Sequence, residues 1–135
     1  MNKEAQQEQI AAVFTGVDAH LVTAELIRSH STNREDIREV ALRGLDLRPC
    51  RRILDLGCGF GFFSEALRNR VGPGARLTGL DMIPAYERLF LDVCRRIGVR
   101  GRFIAAPVSH VETLPERSWD LVLCSYALYF FPEIT

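Results

Sequence analysis

A chain of 135 residues has the size of one domain. Apolar residues make up 47% of it and charged residues 25%, which excludes a disordered polar chain. Seventeen basic residues offset seventeen acidic ones, so no net field draws the chain to nucleic acid or to an anionic membrane, and no nucleic-acid partner is expected.

Arg95, Arg96, Arg100 and Arg102 lie close together, but cations at a helix C-terminus explain them better than a binding patch does. Cys50, Cys58, Cys94 and Cys124 form no CxxC pair and no Cys/His cluster with zinc spacing, so no metal site is expected. Met1 to Gln9 is polar, without the apolar core of a secretory signal. No run approaches the ~18 apolar residues of a membrane span. A reducing, cytoplasmic setting is the expectation.

Ile10, Val13, Phe14, Val17 and Leu21 recur at helical spacing. Gly16 interrupts that stripe, and Asp18 suits the cap of a helix running to about Ser29. Thr32 with Glu35 fits a capping box for a further helix through Ile37, Val40 and Ala41, which Gly44 would end. Residues 1–48 are thus expected to form an N-terminal helical segment ahead of a core at 49–135.

The pattern changes after Pro49. Arg52 to Leu56 is a short apolar run ending in glycines, a buried strand. Phe63, Ala66, Leu67 and Val71 return to helical spacing before Gly72-Pro73-Gly74 breaks it. Ala75 to Leu80 is a second strand ending at Asp81. Pro84 opens a helix whose buried face is Tyr86, Leu89, Phe90, Val93 and Ile97, and Gly98 stops it. Gly101 to Ala106 is a third strand, Val108 to Leu114 a turn, and Trp119 to Ser125 a fourth strand. This alternation predicts an α/β fold: about four mostly parallel strands with helices on both faces.

In such a sheet ligands bind beyond the carboxyl ends of the strands. The first strand ends in Asp55-Leu56-Gly57-Cys58-Gly59-Phe60-Gly61. Alternate glycines let the backbone turn sharply and let a ligand approach the main chain. A dinucleotide fingerprint, G-x-G-x-x-G, would need a third glycine at 62 or at 64, but Phe62 and Ser64 stand there. The leading Asp55 would sit badly with a pyrophosphate and suits a cationic ligand with an amino group. Asp81, roughly 20 residues on, is placed to accept hydrogen bonds from two ribose hydroxyls. Met82 beside it is placed to lie against an adenine face.

Ile53 to Leu67, Asp81, and Trp119 to Phe130 resemble class I S-adenosylmethionine-dependent methyltransferases, and most closely the small-molecule type that includes quinone-biosynthesis enzymes. The resemblance implies a Rossmann-like core that binds S-adenosyl-L-methionine, with residues 1–48 as a lid or cap. Gly57, Cys58, Gly59, Gly61 and Phe62 would lie around the methionine part, Asp81 would hold the ribose and Met82 would flank the adenine. Cys124 and Ser125 would lie near the methyl group, and Tyr126 at the boundary with a small-molecule acceptor. The family usually has an acidic residue after the third strand, where this chain has Ala105-Ala106-Pro107-Val108-Ser109.

No residue is singled out as catalytic. His110, Tyr126 and Tyr129 are the local candidates for a base, a cap or surface role being the simpler one for His110. Tyr129-Phe130-Phe131 reads first as packing. Family members usually continue through three more strands. A fragment of a longer enzyme, a homodimer mate or second chain completing the sheet, and a module that holds the cofactor without turnover all stay open. A dinucleotide oxidoreductase is the reading that Phe62 and Ser64 oppose.

Overall fold

The computed structural model describes residues 17–128 and residue 131. Ile10, Val13, Phe14, Tyr129 and Phe130, named above, lie outside the described residues. The chain forms two compact units that divide between Ala41 and Leu42. Helix α1 spans Val17–His30, with Asp18 in its first turn and Arg28 and His30 in its last, charges that suit the two ends of the helix dipole. Helix α2 spans Ile37–Leu42.

The cap of α2 is not the Thr32–Glu35 box. Asp36 supplies it: its Oδ1 accepts the Arg38 N–H at 2.9 Å. An aspartate directly before the first helical residue reaches the orphan N–H of the second, so the nearer carboxylate takes the role. Gly44, at φ +77°, ends this stretch as expected. Leu42 and Leu47 are buried in the core of the second unit, which therefore begins before Pro49.

The second unit is built on four parallel strands: β1 (Arg52–Leu56), β2 (Arg76–Asp81), β3 (Arg100–Ala105) and β4 (Leu121–Cys124). Their order across the sheet is β3-β2-β1-β4, all pairs parallel. Strand order therefore reverses between β1 and β4, and β1 is central. This is the α/β, Rossmann-like arrangement expected from the alternating pattern.

Because side chains alternate along a strand, Ile53 and Leu77 share one face and Leu54 and Leu80 the other. Helix α3 (Glu87–Ile97) covers the first face with Phe90 and Cys94, while Leu67 joins the same core. Its start is a 3-10 turn opened by Pro84, and Gly98 at φ +78° closes it. The opposite face buries Leu54, Leu56 and Leu80 beneath Val111, Leu114, Trp119 and Phe131, with the 3-10 helix Val108–Thr113 among the covering segments.

Between Gly61 and Gly72 the apolar spacing predicts a full helix, and the chain forms only the 3-10 helix Ser64–Leu67. Arg68 turns extended and Asn69 adopts φ +58°, which ends the helix after one turn. Asp120, the one charged residue of the fourth apolar run, has a structural task. Its Oδ2 accepts the Arg51 and Arg52 N–H groups at 2.7 and 2.8 Å, tying the start of β4 to the start of β1. Those bonds hold its carboxyl below the usual range.

Candidate cofactor site at the carboxyl end of the sheet

The loop after β1 crosses to the end of β2. The N–H groups of Gly57 and Cys58 both donate to Leu80 O, at 2.8 and 3.2 Å. Gly57 has φ +67° and lies against Ala127: a Cβ there would stand 2.4 Å from the Ala127 Cβ. Gly59 has φ +50° with no heavy atom within 4 Å of its Cβ position. One glycine thus serves close packing and the other leaves open space along the backbone, the condition for a ligand to approach the main chain.

Asp81 closes the loop from the other side. Its Oδ2 accepts the Gly59 N–H at 2.8 Å and its Oδ1 accepts the Ile83 N–H at 3.0 Å. The carboxylate is half-buried beside the loop. Met82 beside it is also half-buried.

Asp55 lies beneath the loop rather than at its surface. It is 2% exposed, and its Oδ2 accepts the Ser64 hydroxyl at 2.5 Å. Burial raises its carboxyl to about 7, the Ser64 hydrogen bond opposes the rise, and the Asp81 charge adds to it. Cys58 turns its side chain into the core, where Gly79 is needed: a Cβ at 79 would meet both Cys58 Sγ and the Phe90 ring at 2.6 Å. The Cys58 backbone is also engaged, its carbonyl accepting the Gly61 N–H at 2.9 Å. Burial pushes the Cys58 thiol far up, so it stays neutral.

Phe62 is 41% exposed and meets Phe60 edge-on at 6.3 Å. Phe60 in turn packs on Tyr86 at 6.2 Å. Tyr86 is buried, its hydroxyl pushed up to about 12 by desolvation and by Asp81.

Cys124 is level with Leu56 at the end of β4, and Ser125 follows; both are half-buried. Tyr126 adopts φ +57° and is 74% exposed, an uncommon backbone state for an aromatic residue. His110 is part of the 3-10 helix after β3, and its Nε2 lies 3.3 Å from Thr113 Oγ1. The fold therefore gathers Gly57, Gly59, Asp81, Cys124 and Ser125 at one end of the sheet, with Asp55 below. Sequence reasoning passed over Ser64 as a partner of Asp55, and over Ala127, 1% exposed, as the residue that fits Gly57. A small residue two places after the β4 end was the available signal for Ala127.

Residues 53–135, more than half of the chain, match the family model of a methyltransferase domain. The chain belongs to that family. The ubiquinone biosynthesis O-methyltransferase of Bordetella avium is 32% identical over 83 residues, covering 62% of this chain and 33% of that protein. The malonyl-[acyl-carrier protein] O-methyltransferase of Serratia marcescens is 29% identical over 133 residues, covering 98% of this chain and 47% of that protein. A SAM-dependent methyltransferase from Geobacter sulfurreducens, solved with S-adenosyl-L-homocysteine, superposes with a TM-score of 0.54 at 23% identity. That likeness covers 78% of this chain and 44% of the solved one, and it shows the fold. This methyltransferase domain spans between a third and a half of the length of those relatives.

Proposed function

We propose that this domain binds S-adenosyl-L-methionine at the Gly57–Gly61 loop and serves methyl transfer to a small-molecule acceptor. The observation that carries the proposal is the open backbone at Gly59, held by the Asp81 carboxylate at the switch point of the sheet. The names of the relatives, which include a ubiquinone-biosynthesis enzyme, support the acceptor class.

The residues present fit the cofactor. Gly59 offers a main-chain surface that a Cβ would fill. Asp81 is a half-buried carboxylate whose oxygens would accept from ribose hydroxyls, with Met82 next to it for the adenine. Cys124 and Ser125 would border the methionine part. When bound, the cofactor supplies an activated methyl group on a cationic sulfur with a good neutral leaving group. The chain's share is then alignment and exclusion of water. Phe60, Phe62 and Tyr86 provide the apolar wall, and the loop's bonds to Leu80 fix its position. Asp55, beneath the loop, contributes negative potential toward a cationic ligand once its proton is lost.

No helix of the described residues is long and apolar enough to cross a membrane. All four cysteines are free, which supports a reducing, cytoplasmic setting as part of the proposal. Pairing of a second copy or another chain along β4 belongs to it too.

Calorimetric titration with S-adenosylmethionine, S-adenosylhomocysteine and NAD(H), with size exclusion on the same sample, tests the reading. Heat with the adenosyl compounds alone is expected, and Asp81→Ala should weaken it by about 10–100-fold, the worth of one hydrogen bond to a charged group. No heat with either adenosyl compound refutes the proposal.

A further inference from the structure

We infer that Ser64 is a positioning residue for cofactor capture, acting through Asp55: its hydroxyl fixes the carboxylate beneath the glycine loop in the ionised form that a cationic ligand needs. This rests on the cofactor reading above. Counting from Gly59, Ser64 stands where the third glycine of a dinucleotide fingerprint would fall. A glycine there would give Asp55 no hydroxyl. The serine is fully buried and aims its Oγ at Asp55 Oδ2 across 2.5 Å, while Asp55 is 2% exposed. The substitution that breaks the dinucleotide pattern is therefore also the one that partners the leading acid of the loop.

The geometry makes this bond matter. Asp55 is on the α3 face of β1, and the titratable groups that act on it or feel its charge are Asp81 from β2, Cys58 in the loop, Cys94 in α3 and Cys124 in β4. The first is an acid and burial pushes all three thiols up, so none of these stabilises the Asp55 anion. Ser64 is the group that does, and burial works against it. Without the hydroxyl the carboxyl keeps its proton to higher pH, and a protonated acid offers no attraction to a sulfonium or an ammonium group.

The test is S-adenosylmethionine binding from pH 5.5 to 8.5, with the variant's affinity taken relative to that of the unaltered chain at each pH, which cancels the loss of the ligand's own α-amino proton (pKa about 7.7–8.0). Affinity of the unaltered chain is expected to fall by about tenfold per unit below the Asp55 midpoint. Ser64→Ala should move that midpoint up by about one unit, the worth of one hydrogen bond to a charged group. Ser64→Thr, which keeps the hydroxyl, should leave the midpoint in place. Carbon-13 NMR of the Asp55 carboxyl in the ligand-free chain should show the same upward move in Ser64→Ala.

Superimposable pH profiles for Ser64→Ala and the unaltered chain overturn the inference. If the unaltered chain binds at no pH, the cofactor reading falls, while the carboxyl titration still decides whether Ser64 controls Asp55. If Ser64→Ala does not fold, Ser64→Gly, which also lacks the hydroxyl, replaces it: an upward move of the midpoint upholds the inference, and an unmoved midpoint overturns it.

Discussion

Gly57 and Gly59 are two residues apart, both at positive φ, and alanine at each should do different damage. At Gly57, φ +67° costs an alanine about 1–2 kcal/mol. The new Cβ would also stand 2.4 Å from the Ala127 Cβ, and that overpacking adds about 1–3 kcal/mol. Together about 2–5 kcal/mol is a large part of the 5–15 kcal/mol that holds a typical domain. At roughly 4 °C per kcal/mol, Tm should fall by about 8–20 °C.

At Gly59 the backbone cost is similar, about 1–2 kcal/mol, but nothing lies within 4 Å of the new methyl group. Tm should fall by about 4–8 °C. The methyl group would instead occupy the space through which a ligand reaches the loop. A forced contact of about 1–3 kcal/mol weakens binding by about 5–150-fold. Thermal melts and calorimetric titration with S-adenosylhomocysteine separate the two effects. Equal melting losses for both variants, or undiminished affinity in Gly59→Ala, refute the division of labour between these glycines.

The Asp55 carboxyl makes stability depend on pH in a definite direction. Its folded value of about 7 lies above the unfolded value of about 3.9, so the native state holds the proton longer. The stability this contributes is complete below about pH 4 and is lost as pH rises to about 7. Asp55→Asn should therefore gain on the unaltered ligand-free chain across that window, by on the order of a few kcal/mol, and the gain should level off above it. Urea melts at pH 5, 6, 7 and 8 check this, and a difference independent of pH contradicts it. Cys124 should react slowly with iodoacetamide, because it is half-buried and its thiol is pushed up. S-adenosylhomocysteine should slow it further, and mass spectrometry of the labelled peptides tests both statements.

Much of the fold was legible because single strands carry their own signature. Ile53, Leu54 and Leu56 put apolar side chains on both faces of β1, which is buried on both, and the observed ends of Arg52–Leu56 match the expected ones. The ends of the other strands moved by one or two residues, because pairing rather than composition fixes where a ladder stops. Gly44 and Gly98 marked helix ends by backbone chemistry alone. The helix expected after the loop stops after one turn, where the Arg68–Asn69 backbone leaves the helical region, although the apolar spacing continues to Val71.

The sequence by itself determined the parallel α/β pattern, the glycine loop and the two acids that flank it, since glycine spacing and strand-end carboxylates are local facts. Only the tertiary structure decided what those acids do. Asp55 and Ser64 are nine residues apart on a strand and a turn, and folding buries them as a hydrogen-bonded pair. Asp81 reaches back twenty-two residues to the Gly59 N–H because β1 and β2 pair in register at Leu56 and Leu80. Ala127 fits Gly57 because β4 lies beside β1, a neighbour relation that no local spacing encodes.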